Sequence, residues 1–323
     1  MKNKMILACD LGGTNLRMAA VDEAGKILHL VKVDTPKTER ADEIVRAVVE
    51  TADQCRAAVR RFGEVQMLAA AVPATINAAE GFILKSPNVP ALDGFHFAAA
   101  VSERLRLPVI LENDANAAAI GEQTFGAAKG FQTAVIVTLG TGVGGGIIVH
   151  GKLLRGIDGT AGEIGHICVE RQGAPCGCGS FGCVEQYASA TAIVRLTREL
   201  ARRYPNSVWQ DKSPLTSTDV YRAGIEGDDL ALEVFRQMGS YLGAALADLV
   251  NILNPEVIVI GGGASAAWDL FIGHVREQIR RHAFREPAET VKIVRASLGD
   301  DAAGILGESK MAFDWLTARS EKL

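Results

Sequence analysis

The chain has 323 residues, of which 48% are hydrophobic, 22% charged and 6% aromatic. That length suits two domains with sizeable cores, and plentiful, evenly spread charge alongside so much apolar residue excludes wholesale disorder. With 34 basic against 38 acidic residues, the net charge of −4 lacks the basic footprint of a nucleic-acid binder.

Apolar runs and turn residues alternate in a clear order. Met5–Cys9 reads as a strand ending at Asp10, and Asn15–Val21 follows after a Gly-Gly-Thr break. Asp22-Glu23-Ala24-Gly25 is turn chemistry leading to a third strand at Ile27–Val33. Ala41–Phe62 places Ile44, Val48, Cys55, Val59 and Phe62 at helical spacing. A strand at Met67–Val72 stops at Pro73, and a helix at Phe95–Leu105 precedes a strand at Val109–Leu111.

Lys129 and Lys152 then bracket 22 residues without a formal charge, long enough to span a bilayer. Seven of these are glycine, and β-rich runs at Ala134–Leu139 and Val143–Val149 flank a Gly-Thr-Gly break. The stretch therefore reads as two buried strands, and Lys152–Arg155 is a candidate third. The N-terminal apolar run is too short for a signal-peptide core, so the expectation is a cytoplasmic chain with no membrane segment. Helices follow at Ser189–Tyr204 and Asp229–Leu253, then a strand at Glu256–Ile260 running into Gly261-Gly262-Gly263. A helix at Trp268–His282, a strand at Val291–Val294 and a helix at Ala302–Leu316 close the chain. Both halves open with strand, glycine turn and strand, which points to a duplicated α/β architecture with a cleft between the halves.

Asp10-Leu11-Gly12-Gly13-Thr14-Asn15 puts a carboxylate at a strand end, two exposed backbone amides and a hydroxyl in one turn. Such a turn can cradle phosphate oxygens while the carboxylate holds Mg²⁺; the same Gly-Gly pair also suits an ordinary hairpin. A second cluster runs from Gly140-Thr141-Gly142 to Gly146, and a third is Gly261-Gly262-Gly263 at the end of an apolar strand. Glycines inside strands weaken them, so close approach of a ligand to the backbone explains them best. Three glycine-rich strand ends favour a nucleotide over coincidental turns, although neither the P-loop nor the dinucleotide-binding spacing is present.

Glu112-Asn113-Asp114-Ala115-Asn116 lies where a strand gives way to a helix. Asp114 suits a helix N-cap there, and equally a general base accepting a hydroxyl proton in phosphoryl transfer. His166 with Cys176, Cys178 and Cys183 is the most specific signal, because three of six cysteines fall within eight residues beside one histidine. In a reducing compartment that set reads as a closed structural Zn²⁺ site, and Cys9, Cys55 and Cys168 read as core residues. Glu163 and Glu185 bracket the set and are natural partners for sugar hydroxyls.

Taken in order, Asp10–Thr14, Glu112–Asn116, Leu139–Gly146, Glu163–His166 and the run Cys-Gly-Cys-Gly-x-x-Gly-Cys-x-Glu from Cys176 to Glu185 resemble the ROK family of repressors, open reading frames and sugar kinases. The cysteine run is specific to that family; the glycine turns are shared with actin-like ATPases generally. The resemblance implies an α/β, duplicated actin/hexokinase-like (ribonuclease H-like) two-lobed ATPase fold with ATP and sugar in an interlobe cleft. It divides the chain into residues 1–115 plus 302–323 and residues 116–301. Asp114 would be the base; Asp10 would help place Mg²⁺; Gly12, Gly13, Thr14, Gly140, Thr141 and Gly142 would hold phosphates; Gly261, Gly262 and Gly263 would lie near adenosine. Asn88, Asn113, Asp114, Glu163, His166 and Glu185 fall on positions that contact the sugar, with His166 also ligating zinc.

The activity implied is an ATP-dependent hexose kinase acting on a 6-hydroxyl, glucose first, with N-acetylmannosamine, mannose, allose or fructose as alternatives. Pro73-Ala74-Thr75 replaces a turn that often carries glycine in the family and bears on which sugar fits. Polyphosphate is an alternative donor. A sugar-sensing regulator is the rival class; only nine residues precede Asp10, too few for a helix-turn-helix module. Nucleic acid and membrane are not expected partners, and the family resemblance implies a dimer or tetramer.

Overall fold

The computed structural model describes residues 3–204, 206, 207, 209 and 214–321. Strands β1 (Asn3–Leu11), β2 (Asn15–Asp22) and β3 (Ile27–Asp34) form an antiparallel meander through the two expected turns. Helix α1 (Ala41–Val59) leads to β4 (Gly63–Val72), which lies parallel to β1. A small hairpin of β5 (Thr75–Asn77) and β6 (Phe82–Lys85) precedes α2 (Phe97–Leu105) and β7 (Val109–Asn113). Strand β7 joins β4 in parallel, giving the order β3-β2-β1-β4-β7, and runs directly into α3 (Asp114–Phe125).

The same plan then repeats. Strands β8 (Ala134–Leu139), β9 (Val143–Val149) and β10 (Lys152–Leu153) begin a second sheet. Helices α4 (Glu185–Ala188), α5 (Ala190–Leu200), α6 (Ser217–Ile225) and α7 (Asp229–Leu253) come before β11 (Val257–Gly261), parallel to β8. Helices α8 (Trp268–His282) and α9 (Arg285–Thr290) lead to β12 (Lys292–Arg295), parallel to β11, and α10 (Asp300–Ser320) closes the chain. The order β10-β9-β8-β11-β12 matches the first sheet position for position, as the duplicated α/β reading requires.

Strand β1 is buried on both faces, which explains why its sequence reads as a continuous apolar run. Met5, Leu7, Cys9 and Leu11 enter one core with α1 and α2, while Ile6 and Ala8 enter another with Ile305, Leu306 and Ala312 of α10. Alternate side chains of one strand thus serve two helical layers. The uncharged stretch long enough for a membrane forms β8 and β9, and among the described residues no helix is long and apolar enough to cross a bilayer.

Two compact units result. The first takes residues through Gly130, Leu153–Ala161 and the chain from Ser297 onward; the second takes Phe131–Lys152 and Gly162–Ala296. Sequence reading put the division at 115/116 and 301/302, whereas here α3 stays with the first unit because it packs along α10. Gly121 and Gly307 make that packing possible: a Cβ at either would strike the facing helix at Ala303 or Ala117 backbone. Cys9 and Cys55 are buried as expected, but Cys168 is exposed, on a loop whose backbone pairs antiparallel with that at Cys183 rather than in a core.

Candidate active site

In the first unit the Gly-Gly-Thr turn is tied down at each residue. Gly12 N–H donates to Asn15 O at 2.9 Å, Thr35 Oγ1 donates to Gly12 O at 2.7 Å, and Thr35 N–H donates to Thr14 O at 2.9 Å. A Cβ on Gly13 would lie 2.8 Å from the Asn88 carbonyl oxygen, so glycine there lets the turn and the Asn88 loop meet. That loop is braced by Asp93, which accepts from Ser86 N–H at 2.7 Å and pairs with Lys85; those two partners hold its carboxyl below the usual range. Asp10 pairs with Arg17 across the β1–β2 ladder at 2.7 Å. Glu308 of α10 lies fully buried near Asp10, and burial first, then the Asp10 charge, pushes its carboxyl well above the usual range. The Cys9 and Ala71 amides oppose that rise, yet neither carboxylate oxygen gains a hydrogen bond of good geometry among the described residues.

Asp114 opens α3, and Asn113 is the N-cap whose Oδ1 accepts from Asn116 N–H at 3.1 Å. Asp114 Oδ1 accepts from Ala115 N–H at 2.8 Å, so a carboxylate sits on the positive end of the helix dipole. Of the two readings of Asp114, the N-cap belongs instead to Asn113, and Asp114 is the first residue of the helix. Glu112, only 3% exposed, accepts from Asn113 N–H and Asn116 Nδ2 through Oε1, each at 3.1 Å. Its Oε2 accepts from Arg155 Nε at 3.0 Å and Nη2 at 2.8 Å. Sequence reading assigned roles to neither Glu112 nor Arg155, because their pairing spans 43 residues and shows only in three dimensions.

The second unit holds the other glycine turns and the cysteines. Gly262 has φ of 85°, and a Cβ there would meet Leu139 N and O at 2.5 Å, so the third cluster abuts the strand end before Gly140. Gly142 is packed by the Glu185 carboxylate, whose Oε2 accepts from Val143 N–H at 3.1 Å. Gly145 has a different cause from the expected ligand, and Gly165 shares it. They make room for the chain's own turn at residues 164–166, since a Cβ would strike Ile164 from Gly145 and the Val143 carbonyl from Gly165. Nothing lies within 4 Å of a Cβ built on Gly140, so that turn stays open to a ligand.

His166, Cys176, Cys178 and Cys183 bring one ligand atom each within 4.8 Å of all the others. Cys176 Sγ lies 3.6 Å from His166 Nδ1, and Cys178 Sγ lies 3.7 Å from Cys183 Sγ. Ligands about 2.3 Å from a tetrahedral ion stand about 3.8 Å apart, so the spacing and the thiol-rich chemistry fit zinc. Burial, with Cys176 and Cys178 close by, pushes the Cys183 thiol up to about 12, and only a cation would keep such a thiol ionised. With Nδ1 toward the thiols, His166 Nε2 faces the Glu163 carboxylate, 4.0 Å away. Glu185 Oε1 lies 4.0 Å from Cys176 Sγ, so this carboxylate touches both the cysteine set and the glycine turn.

Two cavities in this unit adjoin the glycine clusters. One of about 480 Å³ is lined by Thr141, Thr191, Arg195 and Arg198, with Thr191 Oγ1 donating to Thr141 O at 2.8 Å. The other, about 170 Å³, lies between Gly263, Tyr221 and Phe235. Their helical lining residues carry no local motif, and sequence reading missed them.

The ROK family pattern matches residues 6–314. A glucokinase of Halalkalibacterium halodurans is 36% identical over 99% of this chain and 97% of its own length. A ROK family glucokinase from Streptomyces griseus, solved with glucose and AMPPNP, superposes with a TM-score of 0.80 at 35% identity, covering 95% of this chain and 98% of that one. A ROK family transcriptional regulator, a homologue of the E. coli MLC protein, superposes with a TM-score of 0.88 at 27% identity, covering 96% of this chain and 78% of that one. Agreement extends from the first strand into the last helix, and the chain belongs to the ROK family.

Proposed function

We propose that the chain is an ATP-dependent hexose kinase whose preferred acceptor is the 6-hydroxyl of glucose. The observation that carries this reading is Asp114, a carboxylate oriented at a helix N-terminus by a capped and braced turn. Phosphoryl transfer needs little covalent chemistry from a protein; it needs an aligned hydroxyl, a group to take its proton, and charge stabilisation at the phosphates. Asp114 takes the proton of the 6-hydroxyl. Asn88, Asn113, Glu163, His166 and Glu185 hold the remaining hydroxyls, the carboxylates accepting from them and the His166 Nε2 face adding a further contact. Gly13, Thr14, Thr141 and Gly142 offer backbone amides to phosphate oxygens, while Gly12 and Gly140, whose amides donate to Asn15 O and Gly142 O, close the two turns; Thr141 with Arg198 lines the adjoining cavity. Gly261, Gly262 and Gly263 border the smaller cavity, which suits an adenosine. Asp10 helps to place Mg²⁺, which when bound neutralises charge on the donor phosphates.

Zinc in the proposed set of His166, Cys176, Cys178 and Cys183 orders the loop that presents Glu163, His166 and Glu185. Thiols gathered beside a histidine as metal ligands suit a reducing, cytoplasmic setting. Likeness to a regulator favours a second reading, a sugar sensor without turnover. A coupled assay of ADP release over glucose, mannose, N-acetylmannosamine, allose and fructose separates the two. Turnover that requires a sugar and is greatest with glucose is expected. No turnover on any sugar, with glucose still bound, favours the sensor.

A further inference from the structure

Glu112 is a buried carboxylate next to the proposed base, and the one charged group that pairs with it, Arg155, comes from 43 residues along the chain. Its Oε1 is filled by Asn113 N–H and Asn116 Nδ2, and its Oε2 by Arg155 Nε and Nη2. Asn113, held from below by Glu112, spans the same corner: its Nδ2 donates to Ala74 O at 3.3 Å and its Oδ1 caps Asn116. Glu112 thus grips the residue before Asp114 and the residue two after it, Asn113 and Asn116. That carboxylate carries a full charge inside the protein, where it is tolerated only with its lone pairs filled. Arg155 is the charged member of the set. It lies in the Leu153–Ala161 segment, which runs with the first unit although the chain on both sides of it belongs to the second. The side chain is 43% exposed while Glu112 is 4%, so the guanidinium reaches inward from the surface to a partner that cannot reach out.

We propose that Arg155 is a positioning residue for the phosphoryl-transfer step: by holding Glu112 it fixes the Glu112–Asn116–Asn113 lattice, and through it the direction of the Asp114 carboxylate. Arg155 touches neither sugar nor nucleotide in this role, so its loss shows in turnover rather than in binding. The inference rests on Asp114 acting as base, and Asp114→Asn is carried as a separate control for that reading.

The test uses the purified full-length chain with glucose and ATP. Arg155→Met is expected to lower kcat on the order of 10- to 100-fold while the KM for ATP stays within about twofold, since a small misplacement of a catalytic group costs about that much. Arg155→Lys, which restores charge without the planar fork, is expected to recover only part of kcat. Methylguanidinium added to Arg155→Met is expected to raise kcat severalfold and to do nothing for Asp114→Asn. The double variant Glu112→Gln/Arg155→Met, which has no buried charge left to compensate, keeps the protein folded if Arg155→Met alone does not. Its kcat is expected to match that of Arg155→Met or Glu112→Gln alone rather than the product of both losses. Three results would overturn the proposal: kcat within twofold of the parent in Arg155→Met, multiplicative losses in the double variant, or losses that appear in KM alone. If Asp114→Asn keeps parental turnover, the base assignment itself has failed, and that outcome is distinct from a failure of Arg155 alone.

Discussion

Glu308 is a buried carboxylate with little compensation among the described residues. It is fully buried close to Asp10, and both its oxygens lack a well-formed hydrogen bond among the described residues. An unfolded glutamate releases its proton near pH 4.3, whereas the buried one keeps it to a higher pH. The native state thus binds more protons than the unfolded chain over that window, and stability falls as pH rises through it. Glu308→Gln removes the titration. Relative to the parent it should gain stability progressively as pH rises to 7 and little at pH 4, read from melting temperatures across that range. Parallel curves at all pH values would contradict this origin. At this scale the proposed metal set of His166, Cys176, Cys178 and Cys183 was the most legible, because thiols at fixed spacing beside a histidine have few other uses. Glu112 and Arg155 were not legible, since each is an ordinary charged residue until the fold brings them together.

Among the elements, long periodic ones stood out in the sequence and short ones did not. Helices α7 and α8 matched the expected ranges of Asp229–Leu253 and Trp268–His282 residue for residue, since each carries an apolar stripe over several turns. The β5 and β6 strands carry too few residues to show a period, and α6, which buries only Val220, Ala223 and Gly224, lacks the large apolar residues that mark α2, so neither stood out. The closing helix was expected at Ala302–Leu316 and runs from Asp300 to Ser320. Its contact with α3 depends on Gly121 and Gly307, where any side chain meets backbone rather than a movable side chain. Gly307→Ala should therefore force the two helices apart and cost about 1–3 kcal/mol, measured by denaturant unfolding. Gly304→Ala in the same helix is the control, because nothing lies within 4 Å of its added methyl. Alanine there should be neutral or slightly stabilising, since it outranks glycine in a helix. Equal losses at the two positions would show that helix propensity, not close approach, decides the effect.

At the scale of the molecule, duplication was legible because each half announces itself with strand, glycine turn and strand. Placing the boundary was harder, since α3 and the Leu153–Ala161 segment join the first unit through packing that leaves no mark in the local sequence. The proposed metal set belongs to this scale as well. His166 turns one ring nitrogen toward Cys176 and the other toward Glu163, so order in the cysteine loop is shared with the proposed sugar contacts. Removing zinc with a chelator should lower the melting temperature and raise the KM for glucose on the order of tenfold, with the KM for ATP little changed. Equal stability and equal KM after verified metal loss would separate the loop from sugar binding. The most direct measurement compares the parent chain with Asp114→Asn in two ways: the rate of glucose 6-phosphate formation from ATP, and glucose binding by calorimetry. Expected is one product per ADP from the parent, a rate at least about 100-fold lower in the variant, and glucose affinity within about threefold. A variant that turns over within tenfold of the parent, or a parent that forms no glucose 6-phosphate, would contradict it.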